Sequence, residues 1–180
     1  MAVRTGRRRN DPRPYDEESL EQAALNYVGR YGTTRAKLAA YLRRKLRERG
    51  WSGQSEPPVE TLVDRMAGLG YVDDRAFATA RAASLGRRGY GERRVREALR
   101  AAGIDEEDSA EAREAARRGA WDAALRFAER RRLGPFAPRE ADRDAREKAL
   151  AALLRAGHPI DLARRLASAR PGEIPELDTT

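Results

Sequence analysis

Cysteine is absent from the 180 residues and histidine occurs once, at His158. A disulfide scaffold, a thiolate zinc site and a cysteine nucleophile are thereby excluded, as is any centre that needs two imidazoles. Lysine is scarce too, at Lys37, Lys45 and Lys148, and aromatic residues make up only 6% of the chain. The longest apolar run, Ala149 to Leu154, is far short of the roughly 20 residues that span a bilayer, and the N-terminal residues lack the apolar stretch of a secretory signal. These absences predict a cytoplasmic protein with no membrane attachment, no metal and no cofactor.

What is present is arginine and alanine, 34 and 33 residues respectively. Both are strong helix formers, while the β-branched residues that favour strands are few, so the composition predicts an all-α fold. With 37% charged and 40% hydrophobic residues, each helix has one narrow apolar stripe and a wide wet face. The net charge of +8 falls in blocks: residues 33–50 and 75–103 each carry +6 and residues 115–139 carry +5. Acidic stretches separate them, −4 over 51–74 and −5 over 104–114. A basic surface of this kind attracts nucleic acid, through counterion release at phosphates, or an acidic protein.

An internal repeat underlies the blocks. A shift of 57 residues lays Leu20 on Phe77, Ala23 on Ala80, Gly29 on Gly86, Gly32 on Gly89, Lys37 on Arg94, Leu38 on Val95, Leu42 on Leu99 and Arg43 on Arg100. A weaker third copy pairs Leu99–Gly103 with Leu153–Gly157. Apolar periodicity and capping residues predict three helices per unit: Asp16–Arg30, Thr34–Arg49 and Val59–Gly68, with Gly32 ending the first helix. Unit two follows with helices to about Arg87 from a cap at Asp73 or Asp74, then Glu92–Ala102 and Glu106–Arg118. Unit three follows with Ala120–Leu133, Asp142–Ala156 and Pro159–Ser168. The predicted organisation is a basic disordered arm over 1–15, three-helix repeats over 16–70, 71–118 and 119–169, and a flexible tail over 170–180. A three-helix unit buries little core alone, so the repeats should stack into an elongated, curved, solenoid-like arch. A surface repeated at that spacing suits a long, periodic partner, a filament or a nucleic-acid groove.

The stretch from Leu69 to Ile104 resembles the core signature of the RecX family, in Gly70-Tyr71-Val72-Asp73-Asp74, Phe77-Ala78, Gly89–Val95 with Glu97, and the closing Ala-Ala-Gly-Ile. The first repeat, Ala24 to Gly50, is similar to the family's first repeat. The resemblance implies a non-enzymatic regulator that docks in the helical groove of the RecA nucleoprotein filament and mainly inhibits the recombinase, in homologous recombination, DNA repair and the SOS response. It implies the RecA filament as partner, with single-stranded or duplex DNA inside it, and no cofactor. The protein is expected to be a monomer.

The candidate contacts to that filament or its DNA are basic residues on outer helix faces. In the first repeat these are Lys37, Arg43, Arg44 and Arg47. In the second they are Arg87, Arg88, Tyr90, Arg93, Arg94, Arg96 and Arg100, and in the third Arg130, Arg131 and Arg132. Among the aromatics, Tyr41 and Phe77 lie in apolar stripes and read as core, whereas Tyr31 and Tyr90 flank arginine-rich turns and read as surface contacts. Asp73-Asp74 reads as a helix cap rather than a Mg²⁺ site, and His158, before Pro159, as a loop or cap residue rather than a general base. The glycines Gly86, Gly89 and Gly91 lack the strand and the Gly-Lys-Ser/Thr ending of a phosphate loop. A plain DNA-binding helical module acting without RecA is the alternative reading.

Overall fold

The structure, a computed structural model, describes residues 13–176. Among them are nine α-helices, one turn of 3-10 helix and no strand beyond an isolated bridge between Tyr15 and Trp51. The all-α expectation holds. The helices fall into two compact units, the first ending at Val72 and the second beginning at Asp73.

The first unit is a single helix triplet: α1 (Glu17–Val28), α2 (Arg35–Arg49) and α3 (Val59–Gly68). Helix α1 starts from a reciprocal cap, in which the Ser19 amide donates to Asp16 Oδ1 at 2.9 Å and the Asp16 amide donates to Ser19 Oγ at 3.0 Å. It ends at Gly29, whose amide donates to the Leu25 carbonyl at 3.0 Å, and not at Gly32. Thr34 caps α2, and Pro58 precedes α3. The three helices close over Leu20, Leu38, Leu42 and Met66, each fully buried. Each such leucine contributes roughly 1.5–3 kcal/mol by leaving water.

The arm predicted over 1–15 divides differently. Residues 1–12 lie outside the described residues, but Tyr15 is buried in the core of the first unit. Its backbone pairs with Gly50 and Ser52 at 3.0 and 2.9 Å. The Arg49 guanidinium lies 4.2 Å from the Tyr15 ring centroid and donates to the Arg13 carbonyl. An aromatic ring, a cation over its face and two backbone bonds outweigh the polar composition of the neighbouring residues.

The second unit holds two triplets. Helices α4 (Asp74–Arg87), α5 (Glu92–Ala101) and α6 (Glu106–Arg118) surround Ala78, Ala82, Val95 and Leu99. Helices α7 (Ala120–Arg131), α8 (Arg143–Arg155) and α9 (Ile160–Ser168) surround Ala124, Ala128, Leu153 and Leu166, with the 3-10 turn Gly134–Phe136 between α7 and α8. Side-chain caps start three of these helices: Asp73 accepts from Ala76, Asp105 from Asp108 and Asp142 from Ala145, at 2.8–2.9 Å. The last described residues are tied down, in contrast to the predicted loose tail. The Gly172 amide donates to the Pro135 carbonyl at 2.8 Å, and Arg165 donates to the Glu176 carbonyl at 2.6 Å. Residues 177–180 lie outside the described residues.

The two triplets of the second unit meet backbone to backbone. The Gly91 amide donates to the Ala156 carbonyl at 3.0 Å, and the Arg93 amide to the Gly157 carbonyl at 3.3 Å. A Cβ on Gly91 would stand 2.3 Å from the Gly157 oxygen, and one on Gly157, at φ +92°, 2.5 Å from the Arg94 nitrogen. Only glycine lets the start of α5 and the end of α8 approach this closely. His158, in the connection between α8 and α9 as expected, belongs to the same junction. It is buried, its Nε2 donates to the Gly89 carbonyl at 3.0 Å, and its ring lies 5.7 Å from Phe127. Its Nδ1 has no hydrogen-bond partner among the described residues, and burial holds the imidazole pKa below the ordinary 6.5, opposed in part by the bond to Gly89.

Candidate functional site

The predicted contact residues separate according to what each guanidinium already holds. On α2 of the first unit, Arg43 pairs with Glu60, and Arg44 pairs with Glu48 at 3.2 Å. Lys45 shares Glu48 at 2.9 Å, and at the start of the helix Arg35 reaches Asp64 at 2.9 Å. The acidic block 51–74 thus supplies Glu60 and Asp64 from α3 to counter the basic face of its neighbour. Lys37 and Arg47 are exposed on the same helix. Beside them the rings of Tyr27 and Tyr41 stack, with centroids 4.1 Å apart and planes at 16°. Arg44 and Lys45 lie over Tyr41, at 5.5 and 5.9 Å from its centroid. Tyr41 is half-buried and packs against the core of its triplet, as Phe77 does in the second unit, while Tyr31 is 57% exposed.

In the second unit the acidic block 104–114 plays the same countering role on one side. Asp108 and Glu107 hold Arg75, and Glu106 lies 4.0 Å from Arg100. Glu92 holds Arg113 at 3.2 Å in the least exposed ion pair described, 15% and 16% exposed. Arg130 donates to the Arg88 carbonyl at 3.0 Å and Arg126 to the Gly86 carbonyl at 3.3 Å, so these two close the C-terminus of α4 from the next triplet. Arg130 therefore has a structural task as well as its exposed position.

On the other side a single carboxylate faces four guanidiniums. A groove of about 490 Å³ opens between α5, α7 and α8, lined by Tyr90, Arg93, Arg94, Glu97, Phe127, Arg131 and Arg155 among others. Arg93 is fixed by Glu97 at 2.8 Å and by the Leu154 carbonyl at 2.6 Å, and Arg94 touches the same Glu97 at 3.4 Å. Arg131 lies over the Phe127 ring, 5.8 Å from its centroid. Neither Arg131 nor Arg155 has an acidic partner among the described residues. Four guanidiniums and one carboxylate leave the groove strongly cationic, with two half-buried rings in its wall. Sequence reasoning found Tyr90, Arg93, Arg94 and Arg131 but missed Arg155. Nothing in the alanine- and leucine-rich context of the latter separates it from an ordinary solvated helix end. Of the remaining candidates, Arg87, Arg88 and Arg132 are exposed and Arg96 is half-buried, and none lines this groove.

No group of three acidic or histidine side chains that could hold a metal occurs among the described residues, and Asp73 is a helix cap as expected. No described helix is long and apolar enough to cross a membrane. What the site offers is charge, aromatic surface and shape.

A family model described as RecX, second three-helix domain, matches residues 73–112, which are α4, α5 and the first half of α6. Over 168 residues the chain is 33% identical to the protein named Regulatory protein RecX of Myxococcus xanthus, covering 89% of this chain and 90% of that one. The chain belongs to the RecX family. A shorter match of 38% over 98 residues links it to Regulatory protein RecX of a Mycobacterium species, covering 53% of this chain and 51% of that one. The crystal structure of RecX from Lactobacillus salivarius shares the fold, with a TM-score of 0.61 at 19% identity over 81% of this chain and 90% of that one. A second crystal structure, of regulatory protein RecX, gives a TM-score of 0.62 at 19% identity over 83% of this chain and 70% of that one. The family's regulatory role thus comes to this chain through sequence similarity along most of its length. Its matched second domain contains Tyr90, Arg93, Arg94 and Glu97, which form one wall of the groove.

Proposed function

We propose that this RecX-family chain binds the RecA nucleoprotein filament and dampens RecA ATP hydrolysis and strand exchange, acting in recombination and DNA repair without chemistry of its own. The observation that carries the reading is the family match over 168 residues. The physical character of the molecule supports it. The filament is a long polyanion with a protein sheath, and the chain is a series of helix triplets with arginine-rich outer faces. Guanidiniums held in place by neighbouring carboxylates and carbonyls need little reordering to meet phosphate or acidic side chains. The three predicted repeats, 16–70, 71–118 and 119–169, would present such faces to successive parts of the filament. The working form is a cytoplasmic monomer.

The test is titration of the protein into RecA on single-stranded DNA with ATP. Hydrolysis and strand exchange should fall as the protein approaches stoichiometry with the filament. An unchanged rate over a broad range of stoichiometry overturns the reading.

A further inference from the structure

Oxidants reach most proteins first at sulfur, through cysteine thiolates and exposed methionines. This chain has no cysteine, and of its two methionines Met66 is fully buried and Met1 lies outside the described residues. The electron-rich side chains left at its surface are aromatic, and three of its six tyrosines lie against one another in the first unit. Tyr31 is the exposed end of the row, its ring centroid 5.4 Å from that of Tyr27 with the planes tilted by 49°. Tyr27, on α1, stacks in turn on Tyr41, on α2, at 4.1 Å and 16°, and both of these rings are half-buried. Tyr15, Tyr71 and Tyr90 have no second tyrosine ring against them among the described residues.

Near-parallel stacking has a chemical consequence as well as a packing one. The unpaired electron of a phenoxyl radical occupies the ring π system, with lobes above and below the plane at the oxygen and at the carbons ortho to it. Rings stacked face to face turn those lobes toward each other, whereas the wider, tilted pair of Tyr27 and Tyr31 does not.

We propose that Tyr27 and Tyr41 form an oxidative cross-linking site, at which a one-electron oxidant joins α1 to α2 through a dityrosine bond, with Tyr31 as the point of attack. The oxidant class is a peroxide activated by a haem peroxidase. Exposed Tyr31 loses an electron and its O–H proton and regains both from Tyr27 across the contact between their rings. In the net reaction Tyr27 and Tyr41 each give one electron and one proton, and hydrogen peroxide takes up both pairs to become water. The two phenoxyl radicals couple through one Cε of each ring. The hydrogen on each of those carbons then moves to the phenoxyl oxygen of its own ring, so both phenols re-form and the protein is lighter by two hydrogens. The bond closes the chain between residues 27 and 41 and so restricts the unfolded state of the first unit. It removes no charge, and Arg44 and Lys45 beside Tyr41 stay cationic. The inference does not rest on the recombinase reading, because no partner takes part.

The experiment treats the full chain, dilute enough to disfavour dimers, with hydrogen peroxide and a haem peroxidase, and reads dityrosine fluorescence and the masses of tryptic peptides. Trypsin puts the three rings on separate peptides by cutting after Arg30, Arg35, Lys37 and Arg43. The expected product is a monomer lighter by two hydrogens, in which the peptide ending at Arg30 is joined to Leu38–Arg43 and fragmentation places the bond at Tyr27. Tyr27→Phe and Tyr41→Phe keep the stacked ring, and each should lose the dityrosine signal of the monomer. Tyr31→Phe should slow the reaction and leave the bond at the same place. The cross-linked monomer should unfold at higher urea than equally treated Tyr41→Phe, read at Trp51 in a Trp121→Phe background. Absence of a cross-linked monomer, a bond between Tyr27 and Tyr31, an undiminished signal in Tyr41→Phe, or an unchanged rate in Tyr31→Phe would each overturn the proposal. RecA inhibition is measured separately, so the two readings fail independently.

Discussion

Helices α2 and α5 are the middle helices of the first two triplets, and the 57-residue shift lays Lys37 on Arg94 and Arg43 on Arg100. Their surroundings use that similarity differently. Helix α3 lies along α2 and brings Glu60 to Arg43 and Asp64 to Arg35. Helix α5 instead has α7 and α8 at its exposed side, and these bring more arginine, with only Glu97 of α5 itself to counter it. Two helices with matching basic positions thus end as a face partly countered by the acids of the neighbouring helix and a groove countered by one carboxylate of its own. Net charge by sequence block does not predict the local field, because packing chooses which carboxylate meets which guanidinium.

The comparison extends to the helix starts, where it can be broken most severely. The shift places Thr34, the cap of α2, opposite Gly91, the cap of α5. Giving the second triplet the first one's cap, Gly91→Thr, should cost the second unit about 3 kcal/mol, because a Cβ there meets the Gly157 carbonyl. The reverse exchange, Thr34→Gly, should cost the first unit only about 0.5 kcal/mol. Urea unfolding read at Trp51 in a Trp121→Phe background, and at Trp121 in a Trp51→Phe background, reports the two units separately.

Acid should separate the units at a smaller scale. The buried His158 is held neutral below its ordinary pKa of 6.5, so as pH falls below that value the unfolded chain takes up a proton that the folded second unit resists. Its stability should therefore drop between about pH 7 and 5, and His158→Gln should flatten that drop. In the first unit, hydrogen bonds from Ser19 hold Asp16 below its ordinary 3.8, and the hydrogen bond from Lys45 holds Glu48 below 4.5. Their contribution is present above those values and fades only as pH falls through the carboxylate range. The Trp121 urea midpoint should thus respond to mild acid before the Trp51 midpoint does.

The smallest effect is expected at the neutralising carboxylates themselves. Glu60→Gln and Glu48→Gln together remove exposed ion pairs and should shift first-unit stability by less than about 1 kcal/mol, within the usual range for surface pairs. The same variant frees Arg43 and Arg44, so its affinity for oligothymidylate should rise slightly, narrowing the difference between α2 and α5. Unchanged affinity would mean that the α2 face lacks the shape for a strand, whatever its charge.

Much of the fold was legible because it is local. Val59–Gly68 and Glu106–Arg118 are observed as predicted, and Thr34 and Asp73 are the caps, while Asp16 and Asp142, read as first helical residues, cap their helices from one position outside. What was not legible is what depends on distant residues. Arg155 becomes part of a groove only because Gly91 and Gly157 let α8 meet α5, more than fifty residues away in sequence. His158 is the loop residue it reads as, but its burial was hidden because its partner is a carbonyl at Gly89, which no side-chain pattern marks. Tyr15 looked like part of a disordered arm because its anchor, Gly50 to Ser52, follows α2. The basic stripe of α2 looked like that of α5 because periodicity shows which face is wet but not which acids lie across from it.

Co-sedimentation of the protein with bare single-stranded DNA and with RecA-coated single-stranded DNA, for the parent and for Arg131→Glu with Arg155→Glu, tests the central claim most directly. The account predicts more protein on the coated strand than on the bare one, and a loss on both when the groove is reversed, with Arg43→Glu and Arg44→Glu having the smaller effect. Equal partition between bare and coated strands, or a groove variant that sediments like the parent, would contradict it.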